Sequence, residues 1–135
     1  SLFRTYRCSP ITLFELQETV LKYINKQEKE IPFWNLITQP YSSLEDRCKN
    51  LAKSISFSTS IEKGESVIGG GTLPDVTLES PILLINNEKT VDTVNQLIKN
   101  DIPIVPRIIK DQVCLDLRSV FHNQDDIIVQ ALNNS

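Results

Sequence analysis

Apolar residues change their spacing several times along the chain, and each change marks an element. Leu13, Leu16, Val20 and Tyr23 recur at steps of three and four, the period of a helix. Phe14, Leu21 and Ile24 widen that stripe and predict a helix buried on more than one side. Ser9-Pro10 supplies an N-cap serine and a proline at the first helical position. The helix runs out in the charged turn Asn25-Lys-Gln-Glu-Lys-Glu30. Ile31-Pro-Phe-Trp-Asn-Leu-Ile37 reads as a short apolar helix or turn, stopped by Pro40. Ser42 with Glu45 has the spacing of a capping box, and the helix it opens carries Leu44, Cys48, Leu51 and Ile55 as its apolar stripe.

At Phe57 the period drops to two. Phe57, Thr59 and Ile61 alternate with serines, which predicts a half-buried strand. Val76-Thr-Leu78 and Ile82-Leu-Leu-Ile85 read as two further strands, the second fully apolar. Thr90 caps a helix with Val91, Val94, Leu97 and Ile98 inward. Ile104–Ile109 and Gln112–Arg118 form a hairpin around Lys110-Asp111, with Val113, Leu115 and Leu117 on one face of its second arm. Asn123 followed by Asp125-Asp126 opens a last helix, its acidic residues favourable at the N-terminus. This order predicts an α+β fold in which helices cover one face of a small, largely antiparallel sheet. Residues 1–135 read as a single domain: a leading segment with a long helix over 1–30, then an α+β sandwich over 31–135.

The run Val67-Ile-Gly-Gly-Gly-Thr-Leu-Pro74 holds three of the chain's 4 glycines. Glycine enters positive φ freely and permits close backbone approach, so the run is either a tight bend between strands or a loop at the lip of an active site. It is not a P-loop, because no Gly-Lys-Ser/Thr follows. It is not a dinucleotide fingerprint, because Pro74 and a strand stand where a helix would begin.

Composition narrows the class. A length of 135 residues with 40% hydrophobic and 23% charged residues suits one globular domain. A net charge of −3 argues against a dedicated nucleic-acid-binding domain. No apolar run approaches the ~18 residues of a membrane helix. Cys8, Cys48 and Cys114 lack the spacing of a zinc site, and they read as small core residues of a reduced, cytoplasmic protein. No metal is expected. The chain contains no methionine and enters patterned sequence at once, which reads as a fragment cut from the C-terminal side of a longer protein.

The arginines carry the most chemistry. Arg4 and Arg7 stand three apart, so a helical turn would aim both guanidinium groups one way, as an anion clamp or as an exposed basic turn. Arg107 is a lone charge among Ile104, Val105, Ile108 and Ile109, either on the solvent face or reaching a ligand. Pro103 and Pro106 cannot donate ladder hydrogen bonds and suit an edge strand. Arg118 faces away from the apolar set and reads as surface. The single histidine, His122, reads as a loop or cap residue, and the carboxylates read as solvated or capping.

Taken in order, several segments resemble the bacterial selenocysteine synthases, the L-seryl-tRNA(Sec) selenium transferases. They are Leu2-Phe-Arg-Thr-Tyr-Arg7, Leu13-Phe-Glu-Leu-Gln-Glu-Thr19, Ile31-Pro-Phe-Trp-Asn-Leu-Ile-Thr38, Val67-Ile-Gly-Gly-Gly-Thr-Leu-Pro74, Ile102-Pro-Ile-Val-Pro-Arg-Ile108 and Leu115-Asp-Leu-Arg-Ser-Val120. Pro106 departs from the glycine more usual in the family and bears on the strand geometry around Arg107.

The resemblance implies the small C-terminal domain of a fold-type-I pyridoxal phosphate enzyme. Its substrates would be seryl-tRNA(Sec) and selenophosphate, and its partners its own catalytic domain and further copies arranged as an oligomer of dimers. It implies substrate-binding roles for Arg4, Arg7 and Arg107, with Gly69, Gly70, Gly71 and Thr72 as an active-site loop. Arg107 would meet the aminoacyl ester, the terminal ribose-phosphate or the selenium donor. The family's cofactor lysine sits in a Ser-Gly-Asp-Lys segment, which this chain lacks, so no catalytic residue is expected here and the chain alone would be inactive. The small domain of a related ammonia lyase acting on a sugar-phosphate amino acid is an alternative. A non-catalytic interaction domain is another.

Overall fold

A computed structural model describes residues 7–68 and 76–133. The chain divides into two compact units, Ser1–Asn35 and Leu36–Ser135.

In the first unit, helix α1 spans Pro10–Ile24. Ser9 caps it as the sequence predicts: its hydroxyl accepts from the Thr12 N–H at 3.1 Å, and Asn25 closes the C-terminus. The expected burial is not met. No residue of α1 is buried, and Leu13, Phe14, Leu16, Val20, Leu21 and Ile24 are all exposed. Among its described residues this small unit offers a one-turn 3-10 helix, Glu28–Glu30, and the start of a short helix, α2 (Pro32–Ile37), as packing surface. Trp34 Nε1 donates to the Tyr23 hydroxyl, and the Phe33 and Trp34 rings meet edge to face at 5.3 Å.

In the second unit, helix α3 (Tyr41–Ser54) buries Leu44, Cys48 and Leu51, three of the four stripe residues named from spacing, and Ile55 follows them into the core. The capping box is not formed. The helix begins at Tyr41 with Pro40 at the cap position, so Ser42 already lies inside the first turn, and Glu45 pairs with Lys49 instead. At the other end, the Asn133 amide donates to the Ser54 carbonyl at 2.7 Å and accepts from the Ser56 N–H at 2.8 Å. That side chain satisfies one of the orphan carbonyls of the α3 terminus.

Four antiparallel strands follow: β1 (Ser58–Val67), β2 (Thr77–Asn86), β3 (Arg107–Ile109) and β4 (Gln112–Asp116), in the spatial order β1-β2-β4-β3. The two strands expected over 76–85 are one continuous strand. Pro81 does not break it, because Pro81 lies just outside the β2–β4 ladder, which starts at Ile82, and pairs only with Lys63 of β1. β1 and β2 pair from Ser58↔Asn86 to Val67↔Thr77, so residues 68–76 connect the two arms of one hairpin. The second hairpin turns at Lys110 and Asp111, both at positive φ (51° and 60°), the geometry of a two-residue I′ turn.

Helix α4 (Thr90–Lys99) buries Thr93 and Leu97, whereas Val91 and Ile98 are exposed, contrary to the inward stripe drawn from sequence. Thr90 does not cap it; its hydroxyl donates to the carbonyls of Asn87 and Asp111 and so ties the helix start to the β3–β4 turn. Helix α5 spans Asp125–Asn133. The core joins Leu44, Cys48, Leu51, Leu97, Ile128 and Leu132 of α3, α4 and α5 to Leu83, Ile85, Val113 and Leu115 of the sheet. All three helices therefore cover one sheet face. The opposite face carries a separate small cluster, Ile82, Leu84 and Cys114.

Candidate functional site

The ladder registers decide which side chains meet on that opposite face. Arg107 pairs with Cys114, and Asp116 pairs with Ile82, so Arg107 and Asp116 project away from the helices. Ser80 and Ser66 lie two and four residues along from these positions on the same face. These four residues come together at the end of the sheet where the β1–β2 connection leaves it.

Asp116 is the hub. Its Oδ1 accepts from the Ser80 hydroxyl at 2.8 Å and from the Arg118 N–H at 3.1 Å. Its Oδ2 accepts from the Ser66 hydroxyl and from Arg107 Nη2, the latter at 3.1 Å. Four donors fill the acceptor capacity of one carboxylate. Arg107 Nη1 reaches further, to the Glu65 carbonyl at 3.1 Å. β3 is an edge strand, as the flanking prolines suggest, and the Arg107 side chain stays 43% exposed while that of Asp116 is 12% exposed. Two of the five guanidinium N–H groups are thus committed among the described residues.

Arg118 is not a surface residue. It is 7% exposed, and its Nη1 donates to the carbonyls of Ile37 and Gln39 (2.9 Å each) and its Nη2 to that of Glu79 (2.7 Å). Its Nε is buried without a hydrogen-bond partner among the described residues. The chain bends into a 3-10 turn at Leu117–Ser119, which swings Arg118 inward where a continued strand would have left it outside.

Other sequence expectations fall as follows. Arg7 is exposed and non-helical, so the helical turn meant to align it with Arg4 does not reach it. Arg4 and the loop residues Gly69, Gly70, Gly71 and Thr72 lie outside the described residues. Cys8 is exposed rather than core, since it precedes the α1 cap; Cys48 and Cys114 are buried and free. Burial, with the Asp116 charge adding to it, pushes the Cys48 thiol up to about 12, and burial likewise raises that of Cys114. Asp125 is not solvated: it forms a two-point ion pair with the buried Arg47 at 2.6 and 2.7 Å. His122 lies in a one-turn 3-10 helix with its side chain 88% exposed, 3.8 Å from Asp125. A polar groove beside it, lined in part by Ser43, Asp46, Asn50 and Asp126, holds no converging nucleophile and base. Among the described residues no group of three or more His, Cys, Asp or Glu is placed to hold a metal, and no helix is long and apolar enough to cross a membrane.

A pyridoxal phosphate aldehyde requires a lysine whose amine is desolvated and easily deprotonated. No lysine here fits. None is buried, and hydrogen bonds to Glu45 and Glu79 raise Lys49 and Lys63 above the ordinary lysine range. The described residues therefore offer a partly exposed arginine held on a carboxylate, and no lysine suited to carry the cofactor.

Comparison with known proteins shows the family. Residues 1–121 match the family model SelA, L-seryl-tRNA selenium transferase. The chain belongs to the L-seryl-tRNA selenium transferase family. It is 32% identical to the L-seryl-tRNA(Sec) selenium transferase of Clostridium perfringens, over 97% of this chain and 30% of that protein. It is 30% identical to that of Aquifex aeolicus, over 96% of this chain and 30% of the relative. The Campylobacter jejuni protein of the same name is 28% identical, over 98% and 29%. The chain thus spans about 30% of the length of the selenium transferases it matches. The matched stretch contains Arg107, Asp116 and Arg118. Sequence reasoning read Asp116 with the other carboxylates as solvated or capping, whereas its side chain is 12% exposed and takes four donors, and it passed over Ser66 and Ser80. The available signal was the Leu115-Asp-Leu-Arg118 segment, which carried the family resemblance without its side chains being given roles.

Proposed function

We propose that this chain is the small C-terminal domain of a fold-type-I pyridoxal phosphate enzyme that converts seryl-tRNA(Sec) to selenocysteinyl-tRNA(Sec) with selenophosphate. The protein works in the cytoplasm as an oligomer of dimers, and its catalytic domain holds the cofactor. This domain contributes Arg4, Arg7 and Arg107 to the binding of anionic substrate groups, and Gly69, Gly70, Gly71 and Thr72 serve as an active-site loop. The observation that supports the site reading is Arg107, held by Asp116 and the Glu65 carbonyl while its side chain stays 43% exposed. Family membership supports the reaction.

The chemistry suits the residue type. A guanidinium presents several donors in one plane and stays charged at every working pH, so it recognises phosphate-like oxygens without a proton step. Each charge-assisted contact contributes about 1.5–3 kcal/mol. Single replacements Arg4→Ala and Arg7→Ala in the full-length enzyme should therefore reduce formation of selenocysteinyl-tRNA by roughly tenfold or more, with the fold retained. Near-normal turnover in both variants would overturn the role given to the pair.

A further inference from the structure

We infer that Asp116 is a positioning residue for Arg107: a carboxylate locked by Ser66 and Ser80 that sets the direction of the substrate-facing guanidinium. The inference rests on the substrate role proposed above for Arg107.

Three observations support it. First, the Asp116 carboxylate is held by donors from three separate segments, Ser66 on β1, Ser80 on β2 and the Arg118 N–H on the turn after β4. A carboxylate with one partner rotates about its terminal bond; one gripped on both oxygens from three directions does not. Second, Arg107 and Ser66 share the same oxygen, Oδ2, so the guanidinium is placed relative to β1 as well as to its own hairpin. Nη1 on the Glu65 carbonyl provides a second fixed point. An arginine pinned at two nitrogens loses most of its side-chain freedom before any ligand arrives, and that loss is then not charged against binding. Third, exposure runs in the right order. Ser80 is fully buried, the Asp116 side chain is 12% exposed, and that of Arg107 is 43% exposed. A purely structural ion pair has no need of a buried three-segment support behind an exposed arginine.

Asp116→Asn keeps the shape but removes the charge and one acceptor oxygen. The serine hydroxyls can rotate to suit an amide, whereas Arg107 Nη2 loses its anionic partner. The test is a double-mutant cycle in the full-length enzyme, read as KM for selenophosphate and for seryl-tRNA(Sec), with thermal melting alongside. Arg107→Ala should raise one of the two KM values about tenfold or more, and Asp116→Asn should raise the same KM by about tenfold while kcat changes little. In the Arg107→Ala background, Asp116→Asn should add less than about twofold. An undiminished Asp116→Asn effect in that background, or a lowered melting temperature with KM unmoved, would overturn the positioning role while leaving Arg107 as a substrate contact. If Arg107→Ala itself changes neither KM nor turnover, the substrate reading of Arg107 fails and the inference with it. Should Asp116→Asn fail to fold, Ser66→Ala takes its place in the same cycle, since it removes only the donor that shares Oδ2 with Arg107.

Discussion

Two buried arginines do structural work in the second unit; Arg118 was read from sequence as surface, and Arg47 was given no role there. Arg47 joins α3 to Asp125 at the start of α5 and to the carbonyls of Leu117 and Val120, at 3.1 and 2.9 Å. Removing one member of a buried pair leaves the other charge unpaired, which costs about 3–5 kcal/mol. Arg47→Ala is therefore expected to lower unfolding free energy by about 3 kcal/mol in a urea titration. Cys48 gives a pH signature. Its thiol ionises near the ordinary 9.0 when unfolded but at about 12 when folded, so the unfolded state alone loses its proton between those values. Stability contributed by the neutral thiol is complete below the unfolded value and falls as pH rises through the window, by about 1.4 kcal/mol per pH unit. Cys48→Ala should flatten that slope in melts between about pH 9 and 11. The partners of Arg47, Asp116 and Arg118 explain why these residues were illegible. Many lie tens of positions away, the Asp125 carboxylate for Arg47, the Ser66 and Ser80 hydroxyls for Asp116 and the carbonyls of Ile37, Gln39 and Glu79 for Arg118, and spacing reports only neighbours on one helix or strand. Arg107 stood out in the sequence as a charge between isoleucines, and in the fold it and its neighbours Val105, Ile108 and Ile109 are all exposed on or just before the edge strand.

Patterns of period two and period three-to-four located nearly every element, since they measure which face is buried and burial built the sheet and helices. What they missed were the ends. The α3 start was misplaced because Pro40 displaced the capping serine, and Thr90 was read as a cap although its hydroxyl donates to carbonyls instead. The Lys110-Asp111 turn was located correctly, and its residues are not the ones its geometry favours. Both occupy positive φ, where a side chain costs about 1–2 kcal/mol. Replacing the pair with Asn-Gly should stabilise the protein by about 1 kcal/mol in denaturant unfolding. Gly64 makes the opposite case. A Cβ there would stand 2.5 Å from Cγ1 of the buried Ile82, so Gly64→Ala is expected to cost about 1–3 kcal/mol in the same measurement.

For the molecule as a whole, collinear short segments pointed to a family that the comparisons then established over residues 1–121. Overall charge carries a separate expectation: at −3, the chain alone has little counterion to release on a tRNA, so its own tRNA binding should be weak at physiological salt. The helix α1 stripe was the failure at this scale. Its apolar residues have the period of a buried helix, but periodicity cannot say what lies against it. With no desolvated lysine among the described residues, the isolated chain should yield no stoichiometric borohydride-reducible adduct after incubation with pyridoxal phosphate, and intact mass would detect one.

The most direct test of the account is single-turnover conversion of seryl-tRNA(Sec) to selenocysteinyl-tRNA(Sec) by the full-length enzyme, with selenophosphate supplied, comparing the natural sequence with Arg107→Ala. The expected result is conversion by the natural enzyme and a loss of about tenfold or more at subsaturating substrate in the variant, with unchanged melting. Equal conversion by both proteins, or none by the natural enzyme, would contradict it.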